Sequence, residues 1–138
     1  MKKLEMEFFD EYKRLDATLK NKYSTKTGVT SYIENMDRIH DAERFVPNWR
    51  EDYKALKHYR WLRNKLAHEA NEEVDLNKDD LAGLKKFYAN VSKNKDPYAV
   101  YMASKKGKKG MTVLKIVAFL IIVAICLGLL YFAKQHGL

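Results

Sequence analysis

An uncharged apolar run extends from residue 116 to 133 and reads IVAFLIIVAICLGLLYFA. The run extends back to Met111 with only Lys115 interrupting, and a helix needs about 20 apolar residues to cross a bilayer. The alternative is a helix buried in a soluble core, but a chain of 138 residues has too few others to cover this segment on every side. The sequence therefore predicts one transmembrane helix over 111–133 and a short tail over 134–138.

Lysines on the N-terminal side of the run predict its orientation. Only Lys134 follows the run, whereas five lysines precede or enter it: Lys105, Lys106, Lys108, Lys109 and Lys115. Because positive flanks stay in the cytoplasm, we expect a single-pass protein of the cell (inner) membrane, laid out as a C-terminal tail anchor with its N-terminal domain cytoplasmic. These lysines could also form an RNA-binding tail, but their place beside an apolar run favours lipid headgroups.

The charge of the chain divides unevenly along its length. From Ser104 onward there are six lysines and no acidic residue, so the formal charge of +8 falls to 20 − 18 = +2 over residues 1–103. Most of the excess positive charge therefore belongs to the predicted transmembrane segment and to the residues that flank it. The Lys- and Gly-rich segment 97–110, which Pro97 opens, predicts a flexible juxtamembrane linker.

Residues 1–96 carry helical patterns and almost no strand pattern. Apolar residues recur at spacings of three and four in four segments, which run from Leu4 to Leu19, Tyr32 to Ile39, Trp49 to Leu66, and Leu81 through Leu84 and Tyr88 to Val91. Candidate N-caps open the last three helices, namely Ser31 with Glu34, Asn48 with Glu51, and Asn77 with Asp80. The third helix should end between residues 67 and 71. The predicted fold class is all-α, a four- to five-helix bundle followed by a single C-terminal transmembrane helix.

The third predicted helix is the basic element of the N-terminal domain. Helical spacing places Arg63 inside its apolar stripe, between Tyr59 and Leu66. A guanidinium at such a position needs a partner. That partner is either a carboxylate, in a buried salt bridge, or the phosphate of a ligand, which the forked donors of arginine fit well.

Two residues beside Arg63 extend this candidate site. His68, near the helix end, either caps terminal carbonyls or serves as a titratable base, and Asn64 stands four residues before it, within reach to orient the imidazole. A phosphate binder, an orienting amide and a base within two turns suit acid–base chemistry at a phosphodiester. Lys57, Arg60 and Lys65 are the candidate RNA- or phosphate-binding residues around them.

The string WLRNKLAHE resembles the RNxxxH signature of the HEPN (higher eukaryotes and prokaryotes nucleotide-binding) superfamily, matching it at Arg63, Asn64 and His68. The resemblance covers roughly residues 1–96 and implies a HEPN-like bundle with a metal-independent endoribonuclease site, made from two motifs in a homodimer. His68 would act on the ribose 2′-hydroxyl or protonate the leaving 5′-oxygen, Arg63 would hold the scissile phosphate, and Asn64 would orient either. In HEPN toxins paired with a nucleotidyltransferase antitoxin a modified Tyr follows the His by two residues, whereas Ala70 stands there in this sequence.

The leading hypothesis is therefore a membrane-anchored HEPN ribonuclease that acts as a toxin, abortive-infection or anti-phage effector. Its expected partners are RNA, membrane lipid, a second copy of the chain, and an antitoxin or sensor protein. One alternative is a non-catalytic HEPN-like membrane scaffold that binds a nucleotide, RNA or a partner protein, and another is an effector that perturbs the membrane through its transmembrane helix. Cys126 stands alone and the histidines lack metal-ligand spacing, so neither a metal nor a cofactor is expected.

Overall fold

The structure is a computed structural model that describes residues 2–68, 74–135 and 137. Its elements are, in chain order, α1 (Lys3–Tyr23), α2 (Val29–Asp37), a 3₁₀ turn (Ala42–Arg44), α3 (Trp49–His68), α4 (Lys78–Ser92) and α5 (Pro97–Gln135). No strand occurs in these described ranges, so they form four helices and one long apolar C-terminal helix. The all-α prediction is confirmed at this level.

Two compact units divide the chain, Met1–Tyr101 and Met102–Leu138, and we call the first of them the head. In the head, α1 packs against α2, α3 and α4, and α3 packs against α2 and α4. The side chains that fill the centre are large, apolar and fully buried, and they come from every helix of the bundle: Phe8, Leu15, Leu19, Val29, Met36, Leu56, Leu62, Leu84 and Val91.

The predicted apolar stripes form most of this core. α1 buries Phe8 and Leu15 on its predicted face, and α3 buries Leu56 and Leu62 on the same pattern. On α4 the prediction was wrong at one position, since Phe87 is buried whereas Tyr88 is only half-buried. The Phe87 ring packs edge-on against Tyr32, at 5.8 Å between centroids, while Tyr88 lies under the guanidinium of Arg14.

Caps account for where two of the helices begin. At α4 the predicted capping box is confirmed, because Asn77 Oδ1 accepts from the Asp80 N–H at 3.0 Å and Asp80 Oδ2 accepts from the Asn77 N–H at 3.1 Å. At α2 the predicted cap is wrong. The helix begins at Val29, whose N–H donates to Asp16 Oδ1 of α1 at 2.7 Å, and Ser31 lies inside it.

Gly28 fixes the approach of α2 to α1. A Cβ atom at this position would lie 1.8 Å from the Asp16 carbonyl oxygen and 2.7 Å from the Asp16 Cα, distances that no side chain can occupy. The absence of a side chain therefore lets the start of α2 touch the backbone of α1, close enough for Asp16 to cap it.

Asp96 joins the two ends of the head. Its carboxylate is fully buried and accepts from Lys22 Nζ at 2.7 Å, from Tyr23 Oη at 2.5 Å and from Tyr32 Oη at 2.8 Å. Burial and the neighbouring carboxylate raise the pKa of both phenols, so both stay protonated and donate. One carboxylate thus connects α1 and α2 to the residue that precedes α5.

The first turn of α5 belongs to the head. Pro97 is buried at its first position, where the missing N–H costs no helical hydrogen bond. Tyr98 packs against Tyr23 at 5.2 Å between ring centroids, and Tyr101 Oη donates to Asp41 Oδ1 at 2.8 Å. These contacts extend the head to Tyr101, beyond the predicted boundary at residue 96.

The second unit is the remainder of α5. The linker prediction over 97–110 is wrong, because this whole segment is helical; Gly107 and Gly110 each cost a helix interior only about 1 kcal/mol between good helix-forming residues. Large apolar side chains from Met111 to Phe132 are exposed, and this part of α5 is long and apolar enough to cross a membrane by length and composition. In the predicted tail, residues 136 and 138 lie outside the described residues.

Candidate functional site

Helical spacing predicted Arg63 inside the apolar stripe of α3, and the structure places it at the edge of the buried face. Its side chain is half-buried, and the guanidinium carbon is 5.7 Å from the centroid of the Phe9 ring on α1. Its Nη1 donates to Asn64 Oδ1 at 3.1 Å, so two residues of the RNxxxH string are joined directly.

The Nε of Arg63 is buried and makes no hydrogen bond within the described residues. The carboxylate partner that sequence reasoning allowed for is absent too, since Arg63 makes no ion pair in the same ranges. A buried donor without an acceptor costs about 1–3 kcal/mol. An oxyanion that reached this atom would remove that cost.

A pocket of about 200 Å³ lies beside Arg63, and we call it the arginine pocket. Three structural segments build it. α1 and α3 form two of its walls, and the loop before α2 with the first turn of α2 forms the third; the lining residues are Tyr12, Asp16, Thr27, Thr30, Arg60, Arg63 and Asn64. The close contact at Gly28 is what brings the third wall against the first.

The charges of the arginine pocket sum to +1. Arg60 and Arg63 contribute two positive charges, and Asp16, whose Oδ1 caps α2 at 2.7 Å, contributes one negative charge. Burial and, to a smaller extent, the Asp16 carboxylate raise the pKa of Tyr12 to about 12, against the opposing effect of the two arginines. Tyr12 is therefore protonated at neutral pH and can donate a hydrogen bond, so the pocket offers guanidinium and hydroxyl donors to a singly charged oxyanion.

His68 does not line this pocket. It is the last residue of α3 and is exposed, one helical turn beyond Asn64 on the same side of the helix. The structure therefore brings together Arg63, Asn64 and Arg60, and it leaves His68 at the surface next to them.

The two candidate phosphate-binding lysines lie elsewhere on α3. Lys57 Nζ sits 5.1 Å from the centroid of the Tyr53 ring and lines a separate cavity of about 500 Å³ between α2 and α3. Lys65 Nζ sits 5.2 Å from the centroid of the half-exposed Trp61 ring. Neither lysine lines the arginine pocket.

Four pocket residues escaped sequence reasoning: Tyr12, Asp16, Thr27 and Thr30. The spacing of apolar residues predicts Tyr12 in the core, and the two threonines lie in a segment predicted as a loop. Their contribution depends on how α1 and α2 pack against α3, which no local pattern encodes. Asp16 had a weak signal, as a carboxylate one turn after the buried Tyr12 on the packed side of an amphipathic helix.

Two further expectations concern the surroundings of the motif. Ala70, which stands where HEPN toxins paired with a nucleotidyltransferase antitoxin carry a modified Tyr, lies outside the described residues. Within the described ranges, no three His, Cys, Asp or Glu side chains are grouped as a metal ion would require.

Comparison with known proteins assigns the chain to a family. The model of a family of unknown function, DUF6548, matches residues 6–112. The chain belongs to this family. The matched span holds α1 from its fourth residue onward and all of α2 to α4, including the arginine pocket and His68, and it ends before the uncharged apolar run begins at Ile116. No curated protein and no solved structure matches the chain.

Proposed function

We propose that this protein is a membrane-anchored, metal-independent endoribonuclease of the HEPN type, which cleaves RNA at a site composed of two RNxxxH motifs in a homodimer. One observation carries the proposal: Arg63 and Asn64 are hydrogen-bonded to each other in the wall of a pocket that holds a second arginine, and the imidazole of His68 is exposed one turn away. A phosphate site and a titratable base thus stand side by side on one helix.

The residue types support transesterification of RNA. His68 takes the proton from a ribose 2′-hydroxyl, and the oxygen attacks the adjacent phosphorus while the 5′-oxygen leaves and takes up a proton. The products are a 2′,3′-cyclic phosphate and a 5′-hydroxyl. Arg63 stabilises the charge that builds on the phosphoryl oxygens, and Asn64 holds the guanidinium in place.

A second copy of the chain would bring an imidazole to the arginine pocket itself. Because His68 lies outside the arginine pocket of its own chain, a dimer that apposes two α3 helices would place the imidazole of one protomer at the pocket of the other. Two histidines would also separate the roles of base and acid.

The apolar part of α5 supports the membrane part of the proposal. Its exposed side chains from Met111 to Phe132 need a hydrophobic surrounding, and the lysines that precede them favour a cytoplasmic head. On this basis we place the enzyme at the inner face of the cell membrane, as a toxin or anti-phage effector controlled by an antitoxin or sensor protein.

The test is RNA cleavage by the full chain in lipid nanodiscs, with a chelator present. His68→Ala should lower the cleavage rate by about 10²–10⁴-fold, the usual contribution of a general acid or base. His40→Ala is the matched control, since His40 is also exposed but lies in the other cavity. Equal rates for the wild type and both variants would refute the proposal.

A mixing experiment tests the composite site. His68→Ala keeps the arginine pocket and Arg63→Gln keeps the imidazole, so a heterodimer of the two inactive variants contains one complete site if the residues act across the interface. We expect cleavage to return on mixing, at a rate below that of the wild type because the heterodimer holds one imidazole in place of two. If each inactive variant stays inactive in the mixture, the site lies within one chain.

The exposed position of His68 also favours a second function, that of a non-catalytic membrane scaffold that binds RNA in the arginine pocket. In that case the wild type binds RNA without cleaving it, and His68→Ala binds as tightly as the wild type. Loss of binding in Arg63→Gln together with intact RNA would identify this function.

A further inference from the structure

The size of the arginine pocket limits what can enter it. Pockets that enclose drug-sized ligands measure about 300–1,000 Å³, and the arginine pocket measures about 200 Å³. It can therefore hold a small charged group and not a whole nucleotide. The rest of any larger ligand must lie outside, on the surface of the head.

The exposed side of α3 can bind the part of a larger ligand that lies outside the pocket. Lys57 stands about one turn before the pocket residue Arg60, and His68 stands one turn after the pocket residue Asn64. Both flanking residues are exposed. Positive or protonatable groups on both sides of a small anion pocket fit a strand of repeating phosphates better than a compact ligand.

The charge of the pocket selects among phosphates. A phosphodiester carries one negative charge, which the net charge of +1 from Arg60, Arg63 and Asp16 balances. A phosphate monoester carries −1.5 to −2 charges at about pH 7, so its second charge would face the carboxylate of Asp16 without compensation. Asp16 cannot turn away, because its Oδ1 accepts from the Val29 N–H at 2.7 Å.

From these observations we infer that the arginine pocket takes one internal phosphodiester of a nucleic acid strand, and that Asp16 excludes terminal phosphates by charge. The inference rests on the proposed function, because the pocket is the one that would hold the scissile phosphate. It adds Asp16, Arg60, Thr27 and Thr30 to the site, and it makes Asp16 a specificity residue. A pocket of about 200 Å³ would hold the phosphate and leave the sugar outside, so DNA and RNA strands should bind alike.

The experiment measures binding to the full chain in nanodiscs of zwitterionic lipid by fluorescence anisotropy. The probe is a short DNA strand, which lacks the 2′-hydroxyl and so is not cleaved by the proposed chemistry. Arg60→Gln should weaken binding by about tenfold or more, the effect of one charge-assisted hydrogen bond. Lys54→Gln removes one charge from the same helix outside the pocket and should leave binding within about twofold.

Competition tests the selectivity. A thymidine dinucleotide with one phosphodiester should displace the probe from the wild type about tenfold better than thymidine 5′-monophosphate. Asp16→Asn keeps an oxygen acceptor for the Val29 N–H and raises the pocket charge to +2, so it should bring the two competitors to within about twofold. Arg60→Gln leaves the α1–α2 contact intact and tests the pocket should Asp16→Asn fail to fold.

The results separate this inference from the nuclease. Equal loss of binding in Arg60→Gln and Lys54→Gln would refute phosphodiester binding in the arginine pocket. Unchanged selectivity in a folded Asp16→Asn would refute the exclusion of terminal phosphates by Asp16. Selective binding without any RNA cleavage would refute the nuclease alone. Cleavage that depends on His68 but not on Arg60 or Asp16 would refute this inference alone.

Discussion

Replacing Gly28 with alanine tests the packing on which the arginine pocket depends. The new Cβ would lie 1.8 Å from the Asp16 carbonyl oxygen and 2.5 Å from the carbonyl carbon, and both are backbone atoms that no rotamer change can move. α2 must therefore shift away from α1. Because φ of Gly28 is negative, at −74°, the residue does not have the left-handed backbone that favours glycine, and we assign the expected loss to this clash.

The magnitude follows from two contributions. Overpacking a close contact costs about 1–3 kcal/mol, and a shift of α2 also breaks the Asp16 cap at Val29, which contributes about 1 kcal/mol. The sum is about 2–4 kcal/mol. For a domain of 60–100 residues each kcal/mol lowers the melting temperature by about 4–8 °C, so Gly28→Ala should lower it by roughly 8–30 °C.

Two other glycines provide graded controls in the same melting experiment, which follows circular dichroism of the full chain in detergent. A Cβ at Gly83 would lie 2.2 Å from Tyr59 Oη, the end of a side chain, so Gly83→Ala should cost less than Gly28→Ala. A Cβ at Gly107 would have no atom within 4 Å, so Gly107→Ala should cause no clash and should stabilise the helix by up to about 1 kcal/mol. If Gly28→Ala has the same melting temperature as Gly107→Ala, α2 does not approach α1 as described and the third wall of the pocket is misplaced.

Two further predictions concern the buried polar groups of the head. Asp96→Ala leaves the Lys22 ammonium beside two phenols without its carboxylate, and it should lower the free energy of unfolding by about 3–5 kcal/mol in a urea titration; Lys22→Met added to it should recover part of the loss, and no recovery would contradict the pairing. Stability should also fall with rising pH above 10. The pKa of Tyr12 is raised from 10.0 to about 12 in the fold, so its contribution is complete below pH 10 and is lost between 10 and 12. Melting temperatures over this range should fall less steeply in Tyr12→Phe than in the wild type, and parallel curves would show that Tyr12 is not buried as described.

Local patterns predicted the helices and much of the core. The faces of α1 and α3 follow from the spacing of their own apolar residues, and the α4 cap follows from two side chains three residues apart. The start of α2 did not follow, because its cap comes from Asp16, a residue 13 positions earlier on another helix. The helical state of residues 97–110 did not follow either, because the glycine and lysine content of this segment is typical of a linker, whereas the residues around the glycines favour a helix.

The candidate site divides in the same way. Arg60, Arg63 and Asn64 belong to one helix, so their common side could be predicted from their spacing. The other walls come from residues that only tertiary packing brings near, and the depth of Arg63 in the wall depends on Phe9 of α1. The separation of His68 from the pocket follows from where the α1 and α2 walls end, which spacing along α3 does not encode.

The carboxylate of Asp96 also sets an order of events during synthesis. It accepts hydrogen bonds from Lys22 and Tyr32, which precede it by 74 and 64 residues. α1 and α2 are therefore synthesised well before the carboxylate to which they bind. The uncharged apolar run begins only twenty residues after it, at Ile116. At about 5–20 residues per second that interval lasts roughly 1–4 s. The Asp96 contacts of the head therefore form within the same few seconds in which the apolar run emerges. Folding of the head and membrane insertion of the apolar run are expected to overlap in time.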